Sequence, residues 1–168
     1  METLIALLLG VLLLMFPAAS LVALFAAESP QAGARAVMDL LEAARAEAAL
    51  RRVPVGICGL AREQTAAAST LTRCTAAATP WRDGGLVMFI DGNLNGWRDD
   101  GEMVLRTVRL AGVSVDSPQP AIVFRPSATL AHPTALALAV ESNGQTRLLC
   151  VGLDGFVRLA HPSVGCLR

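Results

Sequence analysis

A long stretch without charge near the start of the chain limits what the rest can fold into. From Thr3 to Ala27, 25 consecutive positions contain no charged residue and are rich in Leu, Ala and Val. A helix of about 20 such residues crosses the roughly 30 Å hydrocarbon core of a bilayer. A cleaved secretory signal is the alternative, and Ala26 and Ala27 agree with it, but such signals begin with a basic segment and have shorter apolar runs. We therefore predict a retained transmembrane anchor helix over residues 1–27.

The composition argues against several classes of protein. Of the 168 residues, 54% are hydrophobic, which is too many for a disordered chain. The 14 Lys+Arg and 14 Asp+Glu cancel, so no overall field favours nucleic acid as a partner. No nucleophile with a base and no pair of convergent carboxylates is signalled, so we expect no enzyme. His132 and His161 each precede a proline in a predicted loop, where a surface position is expected.

A second helical pattern follows a short polar break, and residues 28–53 are predicted to continue the membrane helix as an amphipathic one. Five apolar residues fall at helical spacing on the face expected to dock onto a sheet: Val37, Leu40, Leu41, Ala44 and Ala48. Two charge pairs are expected on the exposed side: Glu42 with Arg45, and Glu47 with Arg51. Pro54 ends the helix near Val53.

Residues 54–168 change to a strand-like pattern and are predicted to form a β-rich globular domain. Gly, Pro, Asn and Asp occupy the turns between the predicted strands, as hairpins require. The predicted strands cover residues 55–60, 86–90, 103–110, 121–124, 136–141, 148–153 and 156–160. The expected fold class is therefore α+β, with a long N-terminal helix followed by a β-rich domain.

Four cysteines follow the anchor: Cys58, Cys74, Cys150 and Cys166. Their even number and the lack of a C-x-x-C pair fit disulfides in an oxidising compartment. Of the three possible connectivities, sequence order favours Cys58 with Cys74 and Cys150 with Cys166, each across 16 positions. A loop near that size contributes about 3 kcal/mol in the chain-entropy model. Four reduced cysteines in a cytosolic domain are the alternative, which the predicted anchor disfavours.

An acidic loop matches the D-x-[DN]-x-[DN]-G-x5-E pattern of calcium-binding loops at every position of 91–102. The candidate calcium ligands are Asp91, Asn93, Asn95, the carbonyl of Trp97, Asp99 by way of water, and Glu102. Strands rather than helices are predicted on both sides, so this would be an EF-hand-like loop that caps a hairpin. The alternative is an Asn/Gly turn whose side chains bond their own backbone.

The N-terminal residues and several later segments resemble one family. Glu2-Thr3-Leu4-Ile5 and the apolar run after it resemble the type IV pilin signature from its glutamate onward. The helical stretch 34–48, the segment 51–58, Trp81, the strand 84–89 and the loop 91–102 resemble the GspH/FimT family. That family contains type II secretion pseudopilins and type IV minor pilins, and the resemblance covers most of the chain.

The resemblance implies a single-pass inner-membrane protein with a periplasmic C-terminal domain. It also implies assembly with other pilin or pseudopilin subunits and with an inner-membrane assembly platform. Glu2 would pair with the free α-amino group of a neighbouring subunit and set the stagger of helices in a filament. Alternatively, Glu2 lies at the membrane interface and snorkels.

The start of the chain departs from the family pattern. The Gly-Phe-Thr-Leu segment and the basic leader expected before Glu2 are missing, which suggests that translation is assigned to an internal Met. Processing by a prepilin peptidase is then expected if the true N-terminus is longer. A second alignment places Ala6 at the position of the glutamate, and both processing and assembly would then be in doubt.

The C-terminal Gly155-Phe156-Val157-Arg158 is similar to the Gly-Arg-x-Arg segment linked to DNA binding in some minor pilins of this family. Phe156 replaces the first arginine, which leaves Arg158, Arg147 and Arg168 as a thin basic patch. DNA contact through Arg158 and Arg168 is therefore disfavoured. We predict a minor pilin or pseudopilin subunit. The competing hypotheses are a membrane-tethered, calcium-dependent binding module that does not polymerise, and a minor pilin for DNA uptake.

Overall fold

Helix α1 begins the described part of the chain. The computed structural model describes residues 30–60, 74, 81–82, 85–160 and 165–166. Helix α1 spans Pro30–Arg51, and it ends before the predicted Val53 because Arg52 adopts a left-handed φ of 57°. The predicted anchor over residues 1–27 lies outside the described residues. Within those residues, no helix combines the length and the hydropathy that a membrane crossing requires.

Nine strands in the described residues form two antiparallel sheets. Their bounds are β1 Val55–Gly59, β2 Trp81–Arg82, β3 Leu86–Ile90, β4 Val104–Val108, β5 Val113–Asp116, β6 Ala121–Phe124, β7 Leu136–Ser142, β8 Gln145–Val151 and β9 Val157–Ala160. One sheet has the order β4-β3-β1-β6, and the other has the order β2-β5-β7-β8-β9. The helix and the two sheets give the expected α+β class.

The predicted strands agree best with the structure where the apolar run is continuous. The predictions for 86–90 and 121–124 are confirmed as β3 and β6. The prediction for 148–153 is wrong at both ends, because β8 covers Gln145–Val151 and a turn follows in which the Gly155 N–H donates to the Gly152 carbonyl. Strands β2 and β5 were not predicted, since two and four residues are too few to show clear alternation.

The apolar face of α1 packs against both sheets and forms the main core. All five residues predicted to share this face are buried: Val37, Leu40, Leu41, Ala44 and Ala48. They belong to one cluster with inward residues of both sheets. Gly33 lets the helix approach β5 closely, because a Cβ there would lie 2.8 Å from Cγ2 of Val113. The helix is therefore the layer that joins the two sheets.

The four-stranded sheet has a second, smaller core on its other face. This core contains Cys58, Leu60, Val87, Phe89 and Ala121. The Phe89 ring covers the backbone of β1 at Gly56, where a Cβ would lie 2.7 Å from Cζ of the ring. Burial on both faces explains why β1 and β3 read as continuous apolar runs rather than as alternating strands.

Both disulfides form as sequence order favoured. Cys58 is bonded to Cys74 and Cys150 to Cys166, and the Cα atoms of each pair are 5.5 Å apart. No cysteine is left free. The first bond joins β1 to Cys74, and the second joins β8 to the C-terminal end of the chain.

Arg45 connects α1 to two loops instead of pairing with Glu42. Its Nε donates to the Ala128 carbonyl at 3.0 Å, and its guanidinium lies 3.9 Å from the centroid of the Phe156 ring. The predicted pair is wrong because these partly buried contacts outweigh an exposed ion pair, which contributes little in water. The other predicted pair, Glu47 with Arg51, is confirmed.

We expect Gly155→Ala to lower the free energy of unfolding more than Gly144→Ala does. Both glycines have a positive φ, 77° and 72°, so each alanine costs roughly 1–2 kcal/mol in backbone strain. Only at Gly155 would the new Cβ meet backbone, 2.2 Å from the Ala128 carbonyl oxygen, whereas nothing lies within 4 Å at Gly144. Urea unfolding of the detergent-solubilised chain should show an additional loss of about 1–3 kcal/mol for Gly155→Ala. Equal losses would contradict the close approach of these two loops.

Candidate functional site

The acidic loop 91–102 joins β3 to β4 beside the C-terminal end of α1. The Asp91 N–H donates to the Pro54 carbonyl at 3.0 Å, which fixes the start of the loop next to the helix end. Gly96, with a φ of 74°, turns the loop back over β6, where its Cβ position lies 3.7 Å from Cβ of Ala121. The loop therefore folds over the smaller core instead of extending into solvent.

Asp91 is the buried anchor of the loop. Its side chain has 0% exposure, and its two carboxylate oxygens accept hydrogen bonds from the N–H groups of Asn95 and Gly96 at 3.1 and 2.9 Å. Burial raises the pKa of Asp91 above its usual 3.8, and the charge of Glu102 raises it further, although the backbone hydrogen bonds oppose the shift. Asp91 is thus a carboxylate held by backbone donors against the cost of leaving water.

Glu102 and Asp99 close the loop from the other side. The two carboxylate oxygens of Glu102 accept from the N–H groups of Gly92 and Asp99, each at 2.9 Å. Oδ2 of Asp99 accepts from the side-chain amides of Asn93 and Asn95 at 2.8 and 2.9 Å. The five side chains predicted as ligands therefore do come together in one hydrogen-bonded loop.

Their oxygens, however, accept hydrogen bonds within the loop. The side-chain oxygens of Asn93 and Asn95 accept from the N–H groups of Asn95 and Trp97 at 3.1 and 2.7 Å. Within the described residues, no three or more His, Cys, Asp or Glu side chains are grouped as a metal site requires. The geometry shown is that of a turn whose side chains bond their own backbone. Calcium binding by the loop stays a prediction of its sequence.

The predicted basic patch is divided between two surfaces. Arg158 is exposed on β9 and lines a hollow of about 410 Å³ with Cys150, Cys166 and Phe156. Arg147 lies on the neighbouring β8 but lines a different groove, together with Arg35 of α1. Glu2 and Arg168, the other predicted site residues, lie outside the described residues. The structure therefore does not gather Arg147 and Arg158 into one phosphate-binding surface.

His132 lies deeper than a surface histidine. The side chain is half-buried, and its Nε2 lies 3.1 Å from the Ala121 carbonyl. Burial lowers the pKa of His132 below its usual 6.5, so the neutral ring is favoured near pH 7. The expectation of a surface position is wrong because the loop around His132 packs on β6, which the local sequence did not indicate. His161 lies outside the described residues.

Comparison with known proteins agrees with this architecture. The family model described as type II transport protein GspH matches residues 33–155. The chain belongs to the GspH family. Two crystal structures of the type IV minor pilin FimU from Pseudomonas aeruginosa are each 21% identical to it, with TM-scores of 0.57 and 0.58. Each covers 80% of this chain, and 95% and 90% of the respective FimU chains are covered. No protein of curated function matches the chain.

The family that the chain belongs to is described as a type II transport protein family. Members are structural subunits and not enzymes, as the lack of a catalytic signal in the sequence predicted. The likeness to FimU establishes the pilin-like fold, with an N-terminal helix packed on antiparallel sheets. The packing of α1 on the sheets is thus a feature of the pilin-like fold. Calcium binding by the acidic loop requires a separate test.

We expect Asp91→Asn to change how stability depends on pH. A carboxyl group whose pKa is raised by folding binds its proton more tightly in the native state, so its contribution to stability is lost as pH rises through the folded pKa. The free energy of unfolding of the parent relative to Asp91→Asn should therefore fall as pH rises from about 3.8, the ordinary pKa of an aspartic acid, towards neutrality. Asp100→Asn, at an exposed position of the same loop, is the control and should not alter the profile in this way. If the difference in free energy of unfolding between the parent and Asp91→Asn is constant with pH, burial does not raise the pKa of Asp91.

Proposed function

We propose that this GspH family member is a minor subunit of a type IV pilus or of a type II secretion pseudopilus. The observation that carries the proposal is the packing of α1, whose apolar face is buried on both sheets while the chain before it is free of charge from Thr3 to Ala27. A β-rich domain attached in this way to an apolar segment can be held in a membrane or in a helical filament core by the same residues. The subunit would act by assembly and not by catalysis.

The proposed location is the inner membrane, with a single crossing and the described domain in the periplasm. Two disulfides support this, since such bonds persist in oxidising compartments such as the bacterial periplasm. Other pilin or pseudopilin subunits, an inner-membrane assembly platform and a prepilin peptidase are the proposed partners. FimU is described as a type IV minor pilin and GspH as a type II transport protein, and both roles remain within the proposal.

Glu2 is the proposed assembly residue. A carboxylate at the edge of an apolar helix costs up to about 2.5–3.5 kcal/mol when it is drawn towards the bilayer centre, so it requires a partner. The proposed partner is the free α-amino group of a neighbouring subunit, which would set the register between helices.

We expect Glu2→Ala to reduce incorporation into filaments by at least about tenfold, because removing one member of a buried pair leaves the other unpaired. The measurement is the amount of the chain in the sheared filament fraction of cells that contain the rest of the assembly system. Glu28→Ala, which removes a carboxylate at the other end of the charge-free stretch, is the matched control and should incorporate normally. Normal incorporation of Glu2→Ala, with equal amounts in the membrane fraction, would contradict this role.

Calcium binding by a tethered module is the second candidate function, and one observation favours it. The loop brings Asp91 and Glu102 close enough for the charge of Glu102 to raise the pKa of Asp91. A bound divalent cation would relieve that repulsion, and oxygen donors of this kind suit calcium. A solitary binding module would need neither neighbouring pilin-like genes nor a prepilin peptidase. The presence of both would therefore favour a filament subunit over a binding module.

If the loop binds calcium, the added ion should raise the melting temperature of the parent and of Asp100→Asn but not that of Glu102→Gln. Position 100 is not a ligand position in the pattern, whereas position 102 supplies the two-oxygen ligand. A saturating ligand at about 100 times its Kd stabilises by roughly 2.7 kcal/mol, which thermal unfolding resolves easily. Chelator should reverse this increase in melting temperature. If calcium changes the melting temperature of all three chains equally, the loop does not bind calcium.

A further inference from the structure

Arg147 of β8 lies on the face of its sheet that is turned towards α1. It is paired with Val140 of β7, which is 1% exposed and belongs to the main core, and directly paired residues of two strands share a face of the sheet. The Nε of Arg147 is buried and has no hydrogen-bond partner in the described part of the chain. A cationic group kept from water without a partner costs free energy, which a bound anion would offset.

A groove beside Arg147 presents a second arginine and an apolar floor. It has a volume of about 240 Å³ and is lined by Gln31, Ala34, Arg35, Met38, Arg147 and Leu159. Arg35 is exposed on α1 and forms no ion pair with Asp39, one turn further along, among the described residues. Pockets that enclose a whole small molecule usually measure roughly 300–1,000 Å³. The groove therefore suits one part of a larger molecule that carries an anionic group next to an apolar one.

The groove lies close to the end of the charge-free stretch at Ala27. Helix α1 begins at Pro30, three residues later, and three residues of chain span at most about 11 Å. Arg35 is five residues, or about 7.5 Å, further along the helix, and helical side chains lean back towards the N-terminus. The polar headgroup layer is roughly 5–7 Å thick on each side of the hydrocarbon core. With the charge-free stretch held in a membrane, as proposed above, the two arginines come within reach of lipid phosphates.

We propose that this groove binds the headgroup of an anionic phospholipid of the membrane that holds the charge-free stretch. The proposal rests on the proposed function and names a ligand for the membrane-held subunit. Arg35 and Arg147 would donate to phosphate oxygens, for which the planar fork of arginine is well suited. The glycerol and the first acyl carbons would cover Met38 and Leu159. A subunit held in this way keeps a fixed height and rotation relative to the bilayer until it enters a filament.

The test measures the Kd of dioctanoyl phosphatidylglycerol for the full-length chain in mild detergent by native mass spectrometry. Arg35→Gln with Arg147→Gln should bind this lipid at least about tenfold more weakly than the parent does, because both cationic contacts are lost. Arg52→Gln with Arg106→Gln is the matched control and should bind as the parent does. It also neutralises two arginines, both exposed, one just beyond the other end of α1 and one on β4 of the other sheet.

Two further probes and one further variant separate a lipid from a free phosphate. Dioctanoyl phosphatidylcholine has the same phosphate but no net charge, so it should bind the parent more weakly than phosphatidylglycerol does. Inorganic phosphate should bind more weakly still, because it makes no contact with the apolar floor. Leu159→Gln removes apolar area from that floor without changing charge, and it should weaken the binding of phosphatidylglycerol but not that of inorganic phosphate.

The proposal is overturned if the double glutamine variant binds phosphatidylglycerol as the parent does or if the control variant loses as much. It is also overturned if phosphatidylcholine or inorganic phosphate binds the parent as tightly as phosphatidylglycerol, or if Leu159→Gln binds that lipid as the parent does. Arg35→Gln alone changes an exposed helical position, so unchanged binding by this variant would count against the site even if Arg147→Gln fails to fold. Because filament incorporation is measured separately, normal incorporation of a parent that does not bind the lipid would remove this site and leave the proposed function standing.

Discussion

Burial of one face of helix α1 is the contact on which the rest of the fold depends. A 22-residue helix gains little stability from its own backbone in water, and most helical stability in proteins comes from packing. Each Val or Leu on this face contributes about 1.5–3 kcal/mol when fully buried. The two sheets share no strand among the described residues, and residues of both sheets pack in one core with the same helix. The apolar face of α1 therefore lies in the main core, where it contacts residues of both sheets.

The parts of this fold that could be predicted are those whose packing repeats along the chain. A helix covered on one side must keep apolar residues at a spacing near 3.6, and the residues from Val37 to Ala48 do so. Strand β3 was found because both of its faces are buried, which leaves an unbroken apolar run. The contact of Arg45 with Phe156 has no such repeat, since it depends on how loops from distant parts of the chain meet on α1. Strands β2 and β5 were missed for the same reason, because pairing in the sheet defines them more than their few residues do.

The acidic loop shows why a complete motif does not by itself assign a ligand. Asp, Asn and Glu oxygens that can bind calcium are equally good acceptors for the N–H groups of a tight turn. In this loop the Asp91 carboxylate requires hydrogen-bond donors with or without an ion, because burying a carboxylate without them costs free energy. The sequence therefore predicted which side chains share the loop, and the structure shows that they satisfy its backbone. Whether an ion can replace those hydrogen bonds depends on free-energy differences that the pattern of residue types does not contain.

Phe156 occupies the position of the first arginine in the Gly-Arg-x-Arg segment, and it contacts helix α1 through Arg45. Its ring lies over the Arg45 guanidinium, a contact that contributes about 0.5–1 kcal/mol at an exposed site. An arginine at this position would place a like charge against a guanidinium that the Ala128 carbonyl already holds through Nε. One of the two cations would then have to turn away, or the turn around Gly155 would have to move. Residue 45 of the helix and residue 156 of the turn thus contact each other directly, so a substitution at either position changes the surroundings of the other.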